Sequence, residues 1–304
     1  MDPVVDLPHG VHYGISFEQY CSLPGLNIST LVWGLTSAEH LKAAIDGRLS
    51  KDSKARSFGR AVHARLLEPD EYWRHYKVSP GCQAVLKSGE SKGGLCGNHA
   101  TWFHQDHWLC GTHVPKQIKE ISEPEKDVLS VEDAKHIENI VEAVKRHEVV
   151  KLLRQRGGFE ATIRCQLEGV EAKLRLDKLI PMTSLLPSVI IDLKKVQVGG
   201  ATDEEVGKDI WNYCYDAKAS WYTDLTAIAT GIKPAFVWIF IEDGPPYGIN
   251  VIQADAETLA IGRIRYRECF GKYLTGMRTG VWPGYTNRVK TGGLPDYIRR
   301  RFKA

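Results

Sequence analysis

Ser188-Val189-Ile190-Ile191-Asp192-Leu193-Lys194-Lys195 is the stretch from which the fold of this chain can be read. Three β-branched residues in a row favour extended backbone in a packed sheet. Side chains alternate along a strand, so Asp192 and Lys194 share one face while Leu193 points the other way, into packing. A carboxylate beside an ammonium at the end of a buried strand calls for a cause. The plainest cause is a structural Asp–Lys ion pair; the other is catalysis.

Working outward, residues 159–167 and 170–180 alternate around Glu168-Gly169 and predict a β-hairpin. Asp177 falls near the end of its second strand, in Leu174-Arg175-Leu176-Asp177-Lys178. If that strand pairs with 188–195, Asp177 and Asp192 converge, and two carboxylates make a hard oxygen site suited to Mg²⁺ or Mn²⁺. Such an ion polarises a phosphate and acidifies bound water, with Lys194 placed to orient or deprotonate that water and to stabilise developing charge.

Downstream, an amphipathic helix is expected over about 203–230, stopped by Gly231, then strands at 235–242 and 247–253 and a helix at about 255–275. Upstream, 11–28 reads as irregular with a Pro24-Gly25 turn. Ser29 is the expected cap of a helix to Ile45, and Ser57 the cap of one over 58–68 that Pro69 ends. Val131, Ala134, Ile137, Val141 and Val144 set a helical period over 131–154. The expected class is α/β, a mixed central β-sheet flanked by helices.

Several motifs now fall in order. Phe58-Gly59-Arg60-Ala61-Val62-His63-Ala64-Arg65-Leu66-Leu67-Glu68-Pro69 resembles the Gly-x-x-x-His-x-x-Leu-Leu-Glu-Pro helix of RecE-type exonucleases. Gly158-Phe159-Glu160, Arg175-Leu176-Asp177-Lys178-Leu179-Ile180-Pro181 and Ile191-Asp192-Leu193-Lys194 follow, as in that branch of the PD-(D/E)XK nuclease superfamily. Asn27-Ile28-Ser29 is similar to the family's opening helix entry. The likeness spans about 14–78 and 131–285. Each motif is short; their order is specific.

The resemblance implies a restriction-endonuclease-like fold and a set of roles. His63 would be a metal ligand from a helix, Asp177 and Asp192 the carboxylate ligands, the Leu193 carbonyl a further oxygen and Lys194 the catalytic lysine. Glu160 would lie near the metal and the scissile phosphate. Read without the resemblance, His63 is a histidine beside the core and Glu160 an exposed strand residue. One departure stands out. The family places Gln-x-x-x-Tyr on the helix after the lysine strand; this chain has Lys218-Ala219-Ser220-Trp221-Tyr222. Tyr215, Lys218 and Tyr222 share a helical face and are the candidate DNA contacts, yet a lysine cannot supply a glutamine's paired donor and acceptor.

Residues 79–115 lack a period and are rich in Gly, Cys, His and Trp. Cys82, Cys96, Cys110 and His113 form C-x13-C-x13-C-x2-H, similar to small Cys-Cys-Cys-His zinc modules. Three thiolates and an imidazole favour a closed, structural Zn²⁺ site. His99, His104 and His107 are spare fourth ligands. An iron–sulfur cluster, which uses four cysteines, is the rival; unconnected buried thiols are the bland alternative. Cys21, Cys165, Cys214 and Cys269 are expected in the core.

Bulk properties bound the rest. The 304 residues are 43% hydrophobic and 25% charged, with a formal charge of +3; they suit one large domain with a small insert. The expected division is a helical part at 1–78, the Cys/His insert at 79–115, a core at 116–285 and a basic tail at 286–304. That tail carries Arg288, Lys290, Arg299, Arg300, Arg301 and Lys303, either to solubilise or to contact phosphate. No apolar run approaches the ~20 residues of a membrane span. No secretory signal opens the chain, so a cytoplasmic protein is expected.

The leading functional expectation is a metal-dependent deoxyribonuclease. The resemblance implies 5′-to-3′ digestion of linear double-stranded DNA ends for recombination in a phage or prophage setting. It also implies a single-strand annealing recombinase as partner and a homo-oligomer that encircles DNA. The alternatives are a CRISPR-adaptation-type end-processing nuclease and a non-catalytic DNA- or partner-binding protein on the same fold.

Overall fold

The computed structural model describes residues 7–49, 54–125, 127–184, 186–286, 288–294 and 299–300. In chain order the elements are β1 (Gly10–His12), α1 (Phe17–Ser22), α2 (Ile28–Leu31), a 3-10 turn (Val32–Leu35), α3 (Ala38–Ile45), α4 (Lys54–Leu67), α5 (Pro69–His75) and β2 (Lys77–Ser79). Then come β3 (Trp102–His104), β4 (His107–Leu109), α6 (Lys116–Ile121), β5 (Val128–Ser130), α7 (Val131–Arg146) and α8 (Val150–Arg154). The second half holds β6 (Gly158–Leu167), β7 (Val170–Ile180), β8 (Val189–Val196), α9 (Asp203–Asn212), α10 (Tyr215–Thr230), β9 (Ala235–Glu242), β10 (Ile249–Gln253) and α11 (Ala256–Thr279).

The main sheet has the order β1-β6-β7-β8-β9-β10. All neighbours are antiparallel except β8 and β9, whose parallel pairing requires the crossover that α9 and α10 supply. The sheet is therefore mixed and helix-flanked, as expected. One core unites Leu174, Ile190, Phe236, Trp238 and Phe240 with Trp221 of α10 and Tyr266 and Phe270 of α11. A second unites Ile191, Leu193, Ile239 and Ile241 with Val62 of α4 and Ile137, Val141 and Val144 of α7. Successive residues of β8 thus serve opposite faces, and Leu193 packs away from its charged neighbours.

Several boundaries differ from the sequence reading. Residues 11–28 contain β1 and α1, the latter closed by a Ser16–Gln19 capping box. The cap before Leu31 is Asn27, and the expected 29–45 helix is broken at Val32–Leu35 and recapped by Ser37. Gly34 lets this turn approach α11 closely, because a Cβ there would meet Cys269 at 3.0 Å. Ser57 lies inside α4, and Pro69, instead of ending structure, occupies the first turn of α5, where its missing N–H costs nothing. The 131–154 helix divides at His147–Val149. The 203–230 helix divides at Cys214, whose φ of 57° is left-handed.

The segment between β2 and β5, which includes the residues 80–115 of the expected insert, is closed at its base by the parallel pairing of those two strands. It contains the β3–β4 hairpin and α6. Cys165 and Cys269 are core residues, but Cys21 is exposed and Cys214 half-buried: α1 lies on the surface and Cys214 in the α9–α10 connector. Of the basic tail, Arg288 and Lys290 are exposed, and Arg301 and Lys303 fall outside the described residues. Among the described residues no helix is long and apolar enough to cross a membrane.

Candidate active site and metal centre

The centre forms where β7 and β8 part. Their ladder pairs Ile180 with Val189, Leu179 with Ile190 and Lys178 with Ile191, then stops. The next step would set Asp177 against Asp192. Instead the Asp177 carboxylate reaches across, and its Oδ2 accepts the Leu193 N–H at 2.7 Å. That bond satisfies a backbone donor the ladder has abandoned.

Two other elements converge on Asp177. α4 brings His63, whose Nδ1 lies 3.5 Å from Asp177 Oδ2. β6 brings Glu160 from the position opposite, between the Phe159–Lys178 and Ala161–Leu176 pairs. Glu160 has a φ of 48°, unusual for a side chain of its size. His63, Glu160 and Asp177 each offer a ligand atom within 4.8 Å of the others. Burial and the adjacent Asp177 push the Glu160 carboxyl up to about 7, against the pull of Arg175. A set of two crowded carboxylates and an imidazole fits a divalent cation, which would relieve their repulsion.

Asp192 and Lys194 lie beside this trio and form an ion pair with each other. Asp192 is 7% exposed. Burial, offset by Lys194, leaves its carboxyl raised. Lys194 is likewise desolvated, but Asp192, Asp177 and the Tyr215 phenol more than compensate and keep it an ammonium. Its Nζ also donates to the Leu193 carbonyl at 3.2 Å, so that oxygen faces the lysine. Asp192 is engaged by Lys194 and stands outside the His63–Glu160–Asp177 group.

On α10, the Tyr215 ring has Lys194 Nζ and Lys218 Nζ each 5.1 Å from its centroid. Burial pushes its phenol up to about 12. Tyr222 packs on Phe236 at 6.3 Å. Its phenol is raised well above the ordinary value by burial, then by Tyr20, Asp192, Asp177 and Glu160.

Arg175 and Glu68 received no role from the sequence. The Arg175 guanidinium binds Glu160 and the Ile15 carbonyl and comes within 3.9 Å of Glu68. Its bond to Glu160 anchors that carboxylate next to Asp177. The signal was available: in a hairpin, Arg175 lies diagonal to Glu160, within reach of a long side chain.

In the insert, Cys82, Cys96, Cys110 and His113 bring ligand atoms within 4.8 Å of one another. His113 Nδ1 lies 3.5 Å from Cys82 Sγ and 3.3 Å from Cys110 Sγ. A tetrahedral zinc ion with bonds of ~2.3 Å to sulfur and ~2.0 Å to nitrogen gives S–N edges of about 3.5 Å. Burial opposes the Cys110 thiolate, but the Thr112 and His113 N–H groups and the Cys82 and His113 side chains outweigh it, lowering the thiol to about 6. Gly97, with φ 70°, makes the turn after Cys96, and a Cβ on Gly81 would meet the Gly97 oxygen at 2.8 Å. The spare histidines are otherwise occupied or apart: His99 bonds the Val128 carbonyl and His107 the Gln105 carbonyl. His104 is not in the group.

Comparison with known proteins finds a family model and similar solved structures. The family model described as "PDDEXK-like domain of unknown function (DUF3799)" matches residues 27–292. Among solved structures, a crystal structure of a "Putative exonuclease" from Eubacterium rectale superposes with a TM-score of 0.59 at 16% identity, covering 95% of this chain and 98% of that one. At that identity the likeness speaks for the fold. No curated protein matches significantly.

Proposed function

The chain belongs to the family of PDDEXK-like domains of unknown function (DUF3799), and on that premise we propose that it is a divalent-metal-dependent deoxyribonuclease. The observation that carries the reading is the meeting of His63, Glu160 and Asp177 beside the Asp192–Lys194 pair. His63, Glu160 and Asp177 would hold Mg²⁺ or Mn²⁺, with Asp192 and the Leu193 carbonyl adjoining. Such an ion, when bound, polarises the scissile phosphate and lowers the pKa of water. Lys194 is a half-buried ammonium that would stabilise the charge developing on the phosphate. Arg175 fixes Glu160, and Asp177 fixes the backbone of Leu193, so the donor set is organised before a ligand arrives.

In finer terms the reading is an exonuclease that digests linear double-stranded DNA from 5′ to 3′ and leaves a strand for a recombinase to anneal, acting as a homo-oligomer. The ordered motifs from Gly59 to Lys194 support it. Digestion of a duplex labelled separately at its 5′ and 3′ ends, with Asp192→Ala as control, tests it. Early loss of the 5′ label as mononucleotide is expected. Release of short internal fragments would favour the end-processing alternative.

Cys82, Cys96, Cys110 and His113 constitute, in this reading, a closed structural zinc site. The single imidazole argues for zinc over an iron–sulfur cluster. With little apolar content of its own beyond Ala100 and its neighbours, the insert relies on the ion to hold its fold.

A further inference from the structure

The last turn of α9 and the connector to α10 present aromatic rings, Trp211 and Tyr213, in a place where packing does not require them. Trp211 is 56% exposed and Tyr213 59% exposed. Both are nevertheless held in position. The Arg265 guanidinium lies 4.0 Å from the Trp211 ring centroid. It is itself pinned by Asp216 Oδ1 at 2.6 Å and by the Trp211 carbonyl at 3.1 Å. Asp216 is buried, so the guanidinium is anchored from the core side. At Cys214 the backbone turns left-handed, and the Tyr213 and Tyr215 ring centroids come to 5.6 Å. A non-glycine residue in that conformation costs energy, and its place here is a reason to look for a role. Tyr215 in turn stands 5.1 Å from Lys194 Nζ.

We propose that Trp211 and Tyr213, leading inward to Tyr215, are a stacking path for the unpaired bases of a DNA strand whose phosphate reaches Lys194. The proposal rests on the nuclease reading of the Asp192–Lys194 centre and adds to it the form in which DNA enters. Base faces are covered inside a duplex and are open only in a single strand, an overhang or a frayed end. Exposed, pre-positioned rings are therefore of use to an unpaired strand, and they read no sequence because every base has a π-face. The Tyr213–Tyr215 contact and the approach of Tyr215 to Lys194 distinguish this surface from exposed aromatics elsewhere, such as Trp73 or Tyr285.

The test compares binding of two fluorescent strands about 12 units long to the full chain without added Mg²⁺ or Mn²⁺: oligothymidylate, and an abasic strand with the same phosphates but no bases. Wild type should prefer oligothymidylate by roughly tenfold per stacked base. Trp211→Ala with Tyr213→Ala should bring that preference down by about tenfold or more, while Trp211→Phe with Tyr213→Phe keeps it. An Ala pair that retains the full preference, or a wild type without one, overturns the proposal. Cleavage is read separately. If wild type shows the preference but cuts no DNA under any divalent metal, the path stands and the nuclease reading fails. If it cuts and the Ala pair binds both strands as wild type does, the reverse holds.

Discussion

Asp177 accepts the Leu193 N–H at 2.7 Å, one step beyond the last paired rung of β7 and β8. A single carboxylate thus closes the strand junction and faces His63. The two duties separate by substitution. Asp177→Asn keeps an acceptor oxygen and should unfold in urea near the wild-type midpoint. Asp177→Ala leaves a buried donor unmet and should lose about 1–3 kcal/mol. Both should lose metal-dependent cleavage. Equal stability of the two variants would show that the bond does not hold the junction.

The insert should carry about one zinc per chain by metal analysis. Cys110→Ser should lower that stoichiometry and make the segment between β2 and β5 sensitive to protease, with the main sheet unaffected. A brown protein containing iron would refute the zinc assignment.

Asp224 joins α10 to α11. Its oxygens accept from Arg263 at 2.6 and 2.7 Å and from the Tyr266 hydroxyl at 2.6 Å. Burial raises its carboxyl, but those hydrogen bonds outweigh burial and leave it lowered. A lowered carboxylate stabilises the fold above its unfolded value of about 3.9 and loses that contribution as pH falls through the folded value. Asp224→Asn should therefore cost stability in urea at neutral pH. Its deficit relative to wild type should shrink below about pH 4. A pH-independent deficit would assign the effect to packing.

Lys218 stands where the resembled family has glutamine, 5.1 Å from the Tyr215 ring. If it contacts a phosphate, Lys218→Gln should weaken DNA binding across sequences and flatten the salt dependence of affinity by about one unit of slope. An unchanged slope would remove it from the DNA-facing surface.

The strands were the most legible part of the fold, because β6 to β10 keep a period of two or a buried apolar run. Helix breaks were less legible. Ser37 is a local cap signal that the Ser29 reading passed over, whereas nothing local announces that Cys214 turns left-handed. β1 was missed because three residues cannot set a period. At the candidate centre, alternation alone put Asp192 and Lys194 together, and the motif order pointed to His63 and Glu160. The Arg175 support is legible in the hairpin register, which sets Arg175 diagonal to Glu160, but the φ of 48° at Glu160 is not. Nor does one-dimensional spacing tell that Asp192 spends its charge on Lys194 while Glu160 joins Asp177 and His63.

The most direct test is the rate at which purified protein releases nucleotides from linear duplex DNA with Mg²⁺, with chelator, and with Asp192→Ala. The account predicts release with Mg²⁺ alone, none with chelator, and a loss of about a hundred- to a thousandfold in the variant while DNA binding persists. Undiminished release by the variant, or release that ignores chelator, would contradict it.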